Sequence, residues 1–381
     1  MTEKLYDIDP YMTEFFATVL SCEAAGERFC VVLDRTAFFP CEGGQGADHG
    51  ALGDAAVLDV LLRGDTLVHI TDSPLAVSSV VEGQIDVARR RRMMQTHTAE
   101  HILSGVCHTL YGTTNVGFHL GDHEVTLDLD LPLTEAEVAA AEEAANRAIW
   151  ENRPVRVLYP TPEELAGLDY RSKLALTEGV RLVLIEGVDL CACCAPHVAS
   201  TGECGLLKVT GYMHYKGGVR LHIAVGVDAL LDYRAKQEAV HTASVALSVP
   251  EGEVTAGLAR FMDAAGEERR AHAATRATLR RERLLAALER GERTLTLTDI
   301  TPADLRGYAE EGAALAGAPM LILLQDGAAT RYALASTGED VRPLTASLHA
   351  ALGGRGGGKP TLVQGSVPAS PAAMLAAMEG L

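Results

Sequence analysis

Two histidines, His97 and His101, stand four residues apart in the run His97-Thr98-Ala99-Glu100-His101. On a helix this spacing brings both imidazoles to one face, a turn apart, which is a chelating geometry for a divalent metal. The flanks fit a helix: Met94, Ile102, Leu103, Val106 and Leu110 recur at helical spacing, and Gly112 follows as a stop. Taken alone, such a pair is better explained by ordinary core or surface histidines. A second pair shifts the balance. Cys193 and His197, again four apart, lie in a loop rich in Gly, Pro and Cys. Together the two pairs offer four N/S ligands, the set that suits tetrahedral zinc. Cys191 and Cys194 flank Cys193 and are rival thiolates. Glu100, between the two histidines, is a candidate for base chemistry or for support of the ligands; the plain alternative is an exposed helix glutamate.

These residues stand in longer stretches that carry a resemblance. HTAEH (97–101), GFHLGDHEVTLDLD (117–130) and GVDLCACCAPHVASTGECG (187–205) resemble the editing domain of alanyl-tRNA synthetases and its free-standing relatives, the AlaX proteins. The family's HxxxH and CxxxH pattern falls on His97, His101, Cys193 and His197. The resemblance implies one Zn2+ held by these four, with Cys193 the cysteine at the family's distance from His197. The stretch from Phe38 to Gly50 is similar to an aromatic-Pro-x-x-Gly-Gly-Gln-x-x-Asp-x-Gly element that sits beside the family's active site. It implies that Gln45 and Asp48 hydrogen-bond near a tRNA 3′ end, Gln45 also being a candidate catalytic residue beside Glu100. Proximity to the family's motifs adds Thr98 and His119 as substrate-binding residues. The synthetases usually carry Thr where Glu100 stands, so no role transfers to it.

The elements that must position these groups follow from the chain in order. Phe29–Asp34, Val57–Leu62 and Leu67–Ile70 are short β-forming runs separated by Gly, Asp and Pro, which predicts a small N-terminal β-barrel over residues 1–90. Residues 91–240 mix helices and strands. The HTAEH helix leads; Val125, Leu127, Leu129 and Leu131 alternate with polar residues as a strand; 134–152 is an Ala/Glu-rich helix; 155–158, 180–185 and 219–227 are further strands. The lack of regular βαβ repeats predicts an antiparallel or mixed sheet in an α+β fold. Residues 241–292 carry two apolar stripes, Val254, Leu258, Phe261, Met262, Ala265 and then Leu279, Leu284, Leu285, Leu288. They predict a helical hairpin that pairs into a homodimer. Residues 293–381 read as a small α/β domain. Its segment Gly353–Pro360 lacks the Ser/Thr after Lys that a P-loop needs and resembles the C-terminal DHHA1 domain of the synthetases. There Arg355 and Lys359 are candidate grips for RNA phosphates. The resemblance thus covers essentially the whole chain, in the long AlaX form.

Composition sets the remaining bounds. The chain has 381 residues, room for two or three domains with proper cores, and 48% of them are hydrophobic. No apolar run approaches the roughly 20 residues that cross a bilayer, and the acidic first residues lack a signal pattern. A cytoplasmic protein without a membrane partner is the expectation. The formal net charge of −18 argues against indiscriminate nucleic-acid binding. Local patches remain, Arg89–Arg92 and the arginines between 269 and 283. The expected function is trans-editing: hydrolysis of serine, with glycine as a second candidate, from mischarged tRNA for alanine. The alternatives are a non-catalytic zinc-containing tRNA-binding dimer, or a zinc hydrolase of another nucleotide ester.

Overall fold

The structure, a computed structural model, describes residues 2–122, 124–172 and 179–379. His123, inside the 117–130 stretch, lies outside the described residues. The chain divides into two compact units, Met1–Thr242 and Ala243–Leu381.

In the first unit a short strand β1 (Glu3–Lys4) and a one-turn helix α1 (Leu5–Ile8) lead into a ring of strands. These are β2 (Glu14–Ala25), β3 (Arg28–Leu33), β5 (Gly50–Leu52), β6 (Ala55–Arg63), β7 (Thr66–Thr71) and β8 (Val80–Ile85), with β4 (Arg35–Thr36) set aside to pair with β1. They close in the order β2-β3-β7-β6-β5-β8, each pair antiparallel. Period-two alternation turns one side of each strand inward, so that Phe15, Ala17, Val19, Val31, Leu33, Val57 and Val60 fill the ring with Phe38 and Phe39.

Helix α2 (Val87–Tyr111) follows, then a four-stranded antiparallel sheet made of β9 (Asn115–Leu120), β10 (Val125–Leu129), β14 (Leu207–Tyr215) and β15 (Gly218–Val225), in the order β14-β15-β10-β9. Between β10 and β14 come α3 (Glu135–Trp150), β11 (Val155–Leu158), the single turn α4 (Pro162–Leu165), β12 (Leu182–Ile185) and β13 (Asp189–Ala192). The strands β11, β12 and β13 form a small antiparallel sheet of their own. Thr134 and Glu137 close a capping box at the start of α3. The two helices and the four-stranded sheet share one core, which includes Ile102, Leu103, Leu127, Ala141, Ile149 and Leu221. Helix α5 (Val227–Leu247) runs on through residue 241, where the sequence suggests a boundary.

The second unit holds α6 (Val254–Glu289), β16 (Thr294–Leu297), α7 (Leu305–Ala316), β17 (Met320–Asp326), β18 (Ala329–Ala335), α8 (Arg342–Leu352), β19 (Arg355–Lys359), β20 (Leu362–Val367) and α9 (Pro371–Glu379). Its sheet runs β16-β17-β18-β20-β19, parallel at β16/β17 and antiparallel elsewhere. The glycine-rich stretch is the edge strand β19, with Arg355 and Lys359 exposed at its two ends. The two stripes of α6 have different fates. Leu284 is buried against α7 and the sheet, whereas Leu258, Phe261 and Met262 stay largely exposed. The arginines of α6 are largely engaged within the unit: Arg276 pairs with Asp304, Arg280 with Glu311 and Arg283 with Asp299. The architecture is mixed α+β, as the sequence predicts, and among the described residues no helix is long and apolar enough to cross a membrane.

Candidate active site

Helix α2 is the spine of the site. Its start is capped by Asp86, whose carboxylate accepts the Arg89 N–H at 3.0 Å, and it ends at Gly112 in the left-handed region at φ 68°. Met93, Met94, Ile102, Leu103 and Cys107 anchor it in the core, the burial of each Met, Ile or Leu contributing about 1.5–3 kcal/mol. Leu110 departs from the expected apolar face and is exposed. The arginine run before the histidines is chiefly structural. Arg90 is buried, pairs with Asp48, and donates to the carbonyls of Ala37 and Pro10 at 2.5 and 2.8 Å. Arg89 donates to the Ala47 carbonyl at 2.9 Å and pairs with Asp122. Arg92 bonds Asp228 at 2.5 Å and the Gly121 carbonyl at 3.1 Å. Only Arg91 of the four is exposed.

Two close approaches bring supporting residues to the histidines. The Gly-Gly-Gln turn lies along β9: the Leu120 N–H donates to the Gly44 carbonyl at 2.7 Å, and the Gly46 N–H to the Leu120 carbonyl at 3.1 Å. Gly44 sits at φ +85°, and a Cβ there would lie 2.4 Å from the Phe118 carbonyl oxygen, so no side chain fits. This seats Gln45 behind His97, with Oε1 2.8 Å from Nδ1. On the other side Gly105 lets α2 meet the approach to β13, since a Cβ at that position would lie 2.5 Å from the Val188 carbonyl. Asp189 thereby reaches His101, Oδ2 to Nδ1 at 3.0 Å. The third imidazole, His197, has its Nδ1 3.0 Å from Thr98 Oγ1.

The cysteine loop is tied down by Arg181. Its backbone carbonyl accepts the Cys193 N–H at 3.1 Å, and its Nη1 donates to the carbonyls of Cys193 and Ala195 at 2.7 and 3.1 Å. Cys193 and Cys194 pack on the barrel core, while Val198 enters the core of α2 and the sheet. The loop therefore seats Cys193 among the imidazoles. Ligand atoms of His97, His101, Cys193 and His197 all lie within 4.8 Å of one another. Cys193 Sγ is 3.6 Å from His97 Nε2 and 3.3 Å from His197 Nε2.

This donor set fits a tetrahedral zinc ion. All three histidines have Nδ1 facing an oxygen acceptor, Gln45 Oε1, Asp189 Oδ2 or Thr98 Oγ1. With Nδ1–H donated to these oxygens, Nε2 is free as a ligand; the carbonyl oxygen of Gln45 and the carboxylate of Asp189 favour that tautomer, and the Thr98 hydroxyl is compatible with it. Bonds of about 2.0 Å to nitrogen and 2.3 Å to sulfur give a tetrahedral N···S edge of roughly 3.5 Å, in line with the two distances above. The electrostatics select one cysteine. Burial by itself would raise the Cys193 thiol, but the surrounding imidazoles outweigh it and hold the group well below the usual thiol range. Burial pushes Cys191 up and Cys194 up to about 12, so both remain thiols. Burial also lowers His197 to about 3, against the pull of Cys193. For His101, burial is outweighed by Asp189 and Cys193, and the imidazole is held well above its ordinary value. Asp189 is lowered in turn, because His101 and Arg171 overcome its burial.

Three of the four cluster residues, His97, His101 and Cys193, form part of the wall of a cavity of about 440 Å³. Glu100, Asn115, Phe118, Arg171 and Arg181 line it as well. Glu100 is not the exposed glutamate of the plain alternative: it is 3% exposed and hydrogen-bonded to Ser104 and to Asn115 Nδ2, the latter at 2.7 Å. Gln45, Thr98, Asp48 and His119 are not among the residues lining the cavity. Gln45 and Thr98 stand behind imidazoles, Asp48 is bound to Arg90 and to the Phe39 N–H, and His119 is exposed on β9. Arg355 and Lys359 belong to the second unit. Sequence reasoning misses Asp189, Asn115, Ser104, Arg171 and Arg181. Asp189 stands inside the Cys-rich stretch, but nothing local marks it as a partner for a distant histidine.

Comparison with known proteins bears on this cluster directly. Residues 180–222, which hold both Cys193 and His197, match the threonyl and alanyl tRNA synthetase second additional domain. The chain is 35% identical over 261 residues to the alanine–tRNA ligase of Ignicoccus hospitalis, a match covering 65% of this chain and 28% of that enzyme. It is 35% identical over 222 residues to the mouse alanyl-tRNA editing protein Aarsd1, covering 53% of each. Over these stretches the chain is similar to the alanyl-tRNA editing proteins. The bovine editing protein matches at 31% identity over 258 residues, 63% of this chain and 58% of that protein. The chain thus spans roughly half the length of these editing proteins, and under a third of the synthetase. A solved structure, the C-Ala domain of Aquifex aeolicus alanyl-tRNA synthetase, covers 23% of this chain at 19% identity with a TM-score of 0.21, too loose to carry an argument.

Proposed function

We propose that this chain is a metal-dependent editing hydrolase that releases serine, with glycine as a second substrate, from mischarged tRNA for alanine. The single observation that carries the reading is the convergence of three Nδ1-anchored imidazoles on the Cys193 sulfur at the wall of a cavity sized for a small ligand. The relatedness to alanyl-tRNA editing proteins supports the substrate class.

The residues that would hold the metal are His97, His101, Cys193 and His197. When bound, the metal supplies positive charge that can polarise the ester, activate water or organise the pocket. Four protein ligands complete a tetrahedral set, whereas catalytic zinc usually keeps a position open. That weights the account towards positioning, which suffices for an ester already reactive in water. Asp189, Thr98 and Gln45 keep the imidazoles oriented. Arg181 holds the loop that carries Cys193, and Arg171 holds Asp189 through bonds of 2.7 and 2.9 Å. Thr114 and Asn115 bring polar groups to the cavity, and Phe118 offers an aromatic face there.

In this reading the second unit adds tRNA affinity, through Arg355 and Lys359 on β19, and a homodimer contact through the exposed stripe of α6. The test is a deacylation assay on tRNA for alanine carrying serine, glycine or alanine. Release of serine and glycine is expected; a protein that binds the tRNA but releases neither would instead be a tRNA-binding module.

A further inference from the structure

Glu100 is a buried carboxylate whose position on the cavity wall the metal cluster does not explain. It stands on α2 between the ligands His97 and His101, and it lines the same cavity. Both of its hydrogen bonds, from Ser104 Oγ and from Asn115 Nδ2, end on Oε1. Among the described residues Oε2 accepts no hydrogen bond, and it is not one of the sealed-off atoms left without a partner. Cations are near but committed: Arg171 gives Nε and Nη2 to Asp189, and Arg181 gives Nη1 to two carbonyls and stands 3.5 Å from Asp7. A desolvated carboxylate on a cavity wall, held by two neutral donors and bonded to no cation among the described residues, is costly unless a cation arrives with the ligand.

We infer that Glu100 is a specificity residue that receives the free α-ammonium of an aminoacyl ester through Oε2. This rests on the reading of the substrate as an aminoacyl ester of tRNA. It adds that the site reads the amine itself, so that esters with a blocked or missing α-amino group are poor ligands. Ser104 and Asn115 fix the carboxylate in place, so that Oε2 is presented without reorganisation.

The test uses binding to the 381-residue chain, with metal content measured for every variant. The probes are two non-hydrolysable 3′-amides of adenosine, one carrying serine and one carrying glycerate, which replaces the ammonium by a hydroxyl. A charge-assisted hydrogen bond of about 1.5–3 kcal/mol corresponds to a preference of about 10- to 100-fold for the seryl probe. In Glu100→Gln, whose amide can still accept from Ser104 and Asn115, that preference should vanish. In Glu100→Asp, one methylene shorter, it should fall part-way. Equal binding of the two probes by the wild-type protein, or a preference unchanged in both variants, overturns the assignment while leaving the hydrolase reading intact if Ser-tRNA is still deacylated. Binding of neither probe, with no deacylation, removes both readings.

Discussion

At the residue scale, three cysteines in four positions have different fates because their surroundings differ. Cys193 faces the imidazoles of His97 and His197, while Cys191 and Cys194 lose solvent without comparable compensation. Cys193→Ala should therefore release the metal and abolish deacylation, whereas Cys191→Ala and Cys194→Ala should keep full metal content by elemental analysis. Full occupancy in Cys193→Ala would show that a neighbour is the ligand. The two pairs of candidate ligands were legible in the sequence because chelation imposes a spacing on each pair, while the choice of Cys193 over its neighbours came from the family resemblance. The supports of the ligands were not legible, because Asp189 and Thr98 meet histidines far along the chain. A second residue-scale prediction concerns His69, buried in the barrel between Thr36 Oγ1 at 2.9 Å and the Val31 carbonyl at 3.2 Å. Burial lowers it to about 4 from an ordinary 6.5. The unfolded chain then takes up a proton before the folded one does. Stability is complete above about pH 6.5, declines as pH falls towards 4, and loses about 3 kcal/mol over that window at about 1.4 kcal/mol per pH unit. In His69→Gln, denaturant unfolding at pH 7 and pH 5 should lose correspondingly less stability on acidification than the wild type; an equal loss refutes this.

At the element scale, α2 was legible from its histidines to its end, through apolar periodicity and the Gly112 that follows; its start at Asp86, ahead of the arginines, was not. Nor was the arginine run that opens it. Four adjacent cations read as a solvated face or an RNA contact, and the structure instead spends Arg90 on Asp48 and on the chain around Ala37. The partner lies in a separate turn, so local pattern cannot reveal the pair. Removing one side of a buried ion pair leaves the other charge uncompensated, at about 3–5 kcal/mol. Arg90→Met should thus lower unfolding free energy by that amount, and it should also disturb the Gly-Gly-Gln turn that sets Gln45 behind His97. A loss below about 1 kcal/mol would show that the pair does not hold the turn to the helix. The barrel was only half legible. The apolar runs of β3, β6 and β7 stand out in the sequence. β8 is short, and β2, at Glu14–Ala25, mixes exposed and buried positions too irregularly at its end to announce itself.

At the scale of the whole molecule, the two units have separate cores. Every residue of the barrel core and of the α2 core precedes Thr242, and the cores around β17 and β18 begin at Leu284. A protein ending after Leu247 should therefore fold and keep its metal. If the second unit supplies RNA contacts and the dimer, the truncated protein should be monomeric and bind tRNA more weakly, with a shallower dependence on salt. Unchanged mass and affinity would contradict that division of labour. The sequence made the mixed α+β class readable, because its periodicities switch between two and 3.6 along the chain. It could not show that the glycine-rich stretch is an edge strand, since β19 is set by its pairing with β20.

The central claim is that this site hydrolyses the wrong aminoacyl ester and spares the right one. Serine differs from alanine by a hydroxyl, which a pocket shaped for a methyl group rejects poorly but a polar pocket can select. Polar groups placed for that hydroxyl and left unpaired by alanine cost about 1–3 kcal/mol each, roughly one to two powers of ten in rate. The direct measurement is the rate of deacylation of tRNA for alanine charged with serine and, separately, with alanine, by the metal-loaded 381-residue chain. The account predicts that Ser-tRNA is cleared at least about tenfold faster than Ala-tRNA. Equal rates for the two, or no release of serine, would contradict it.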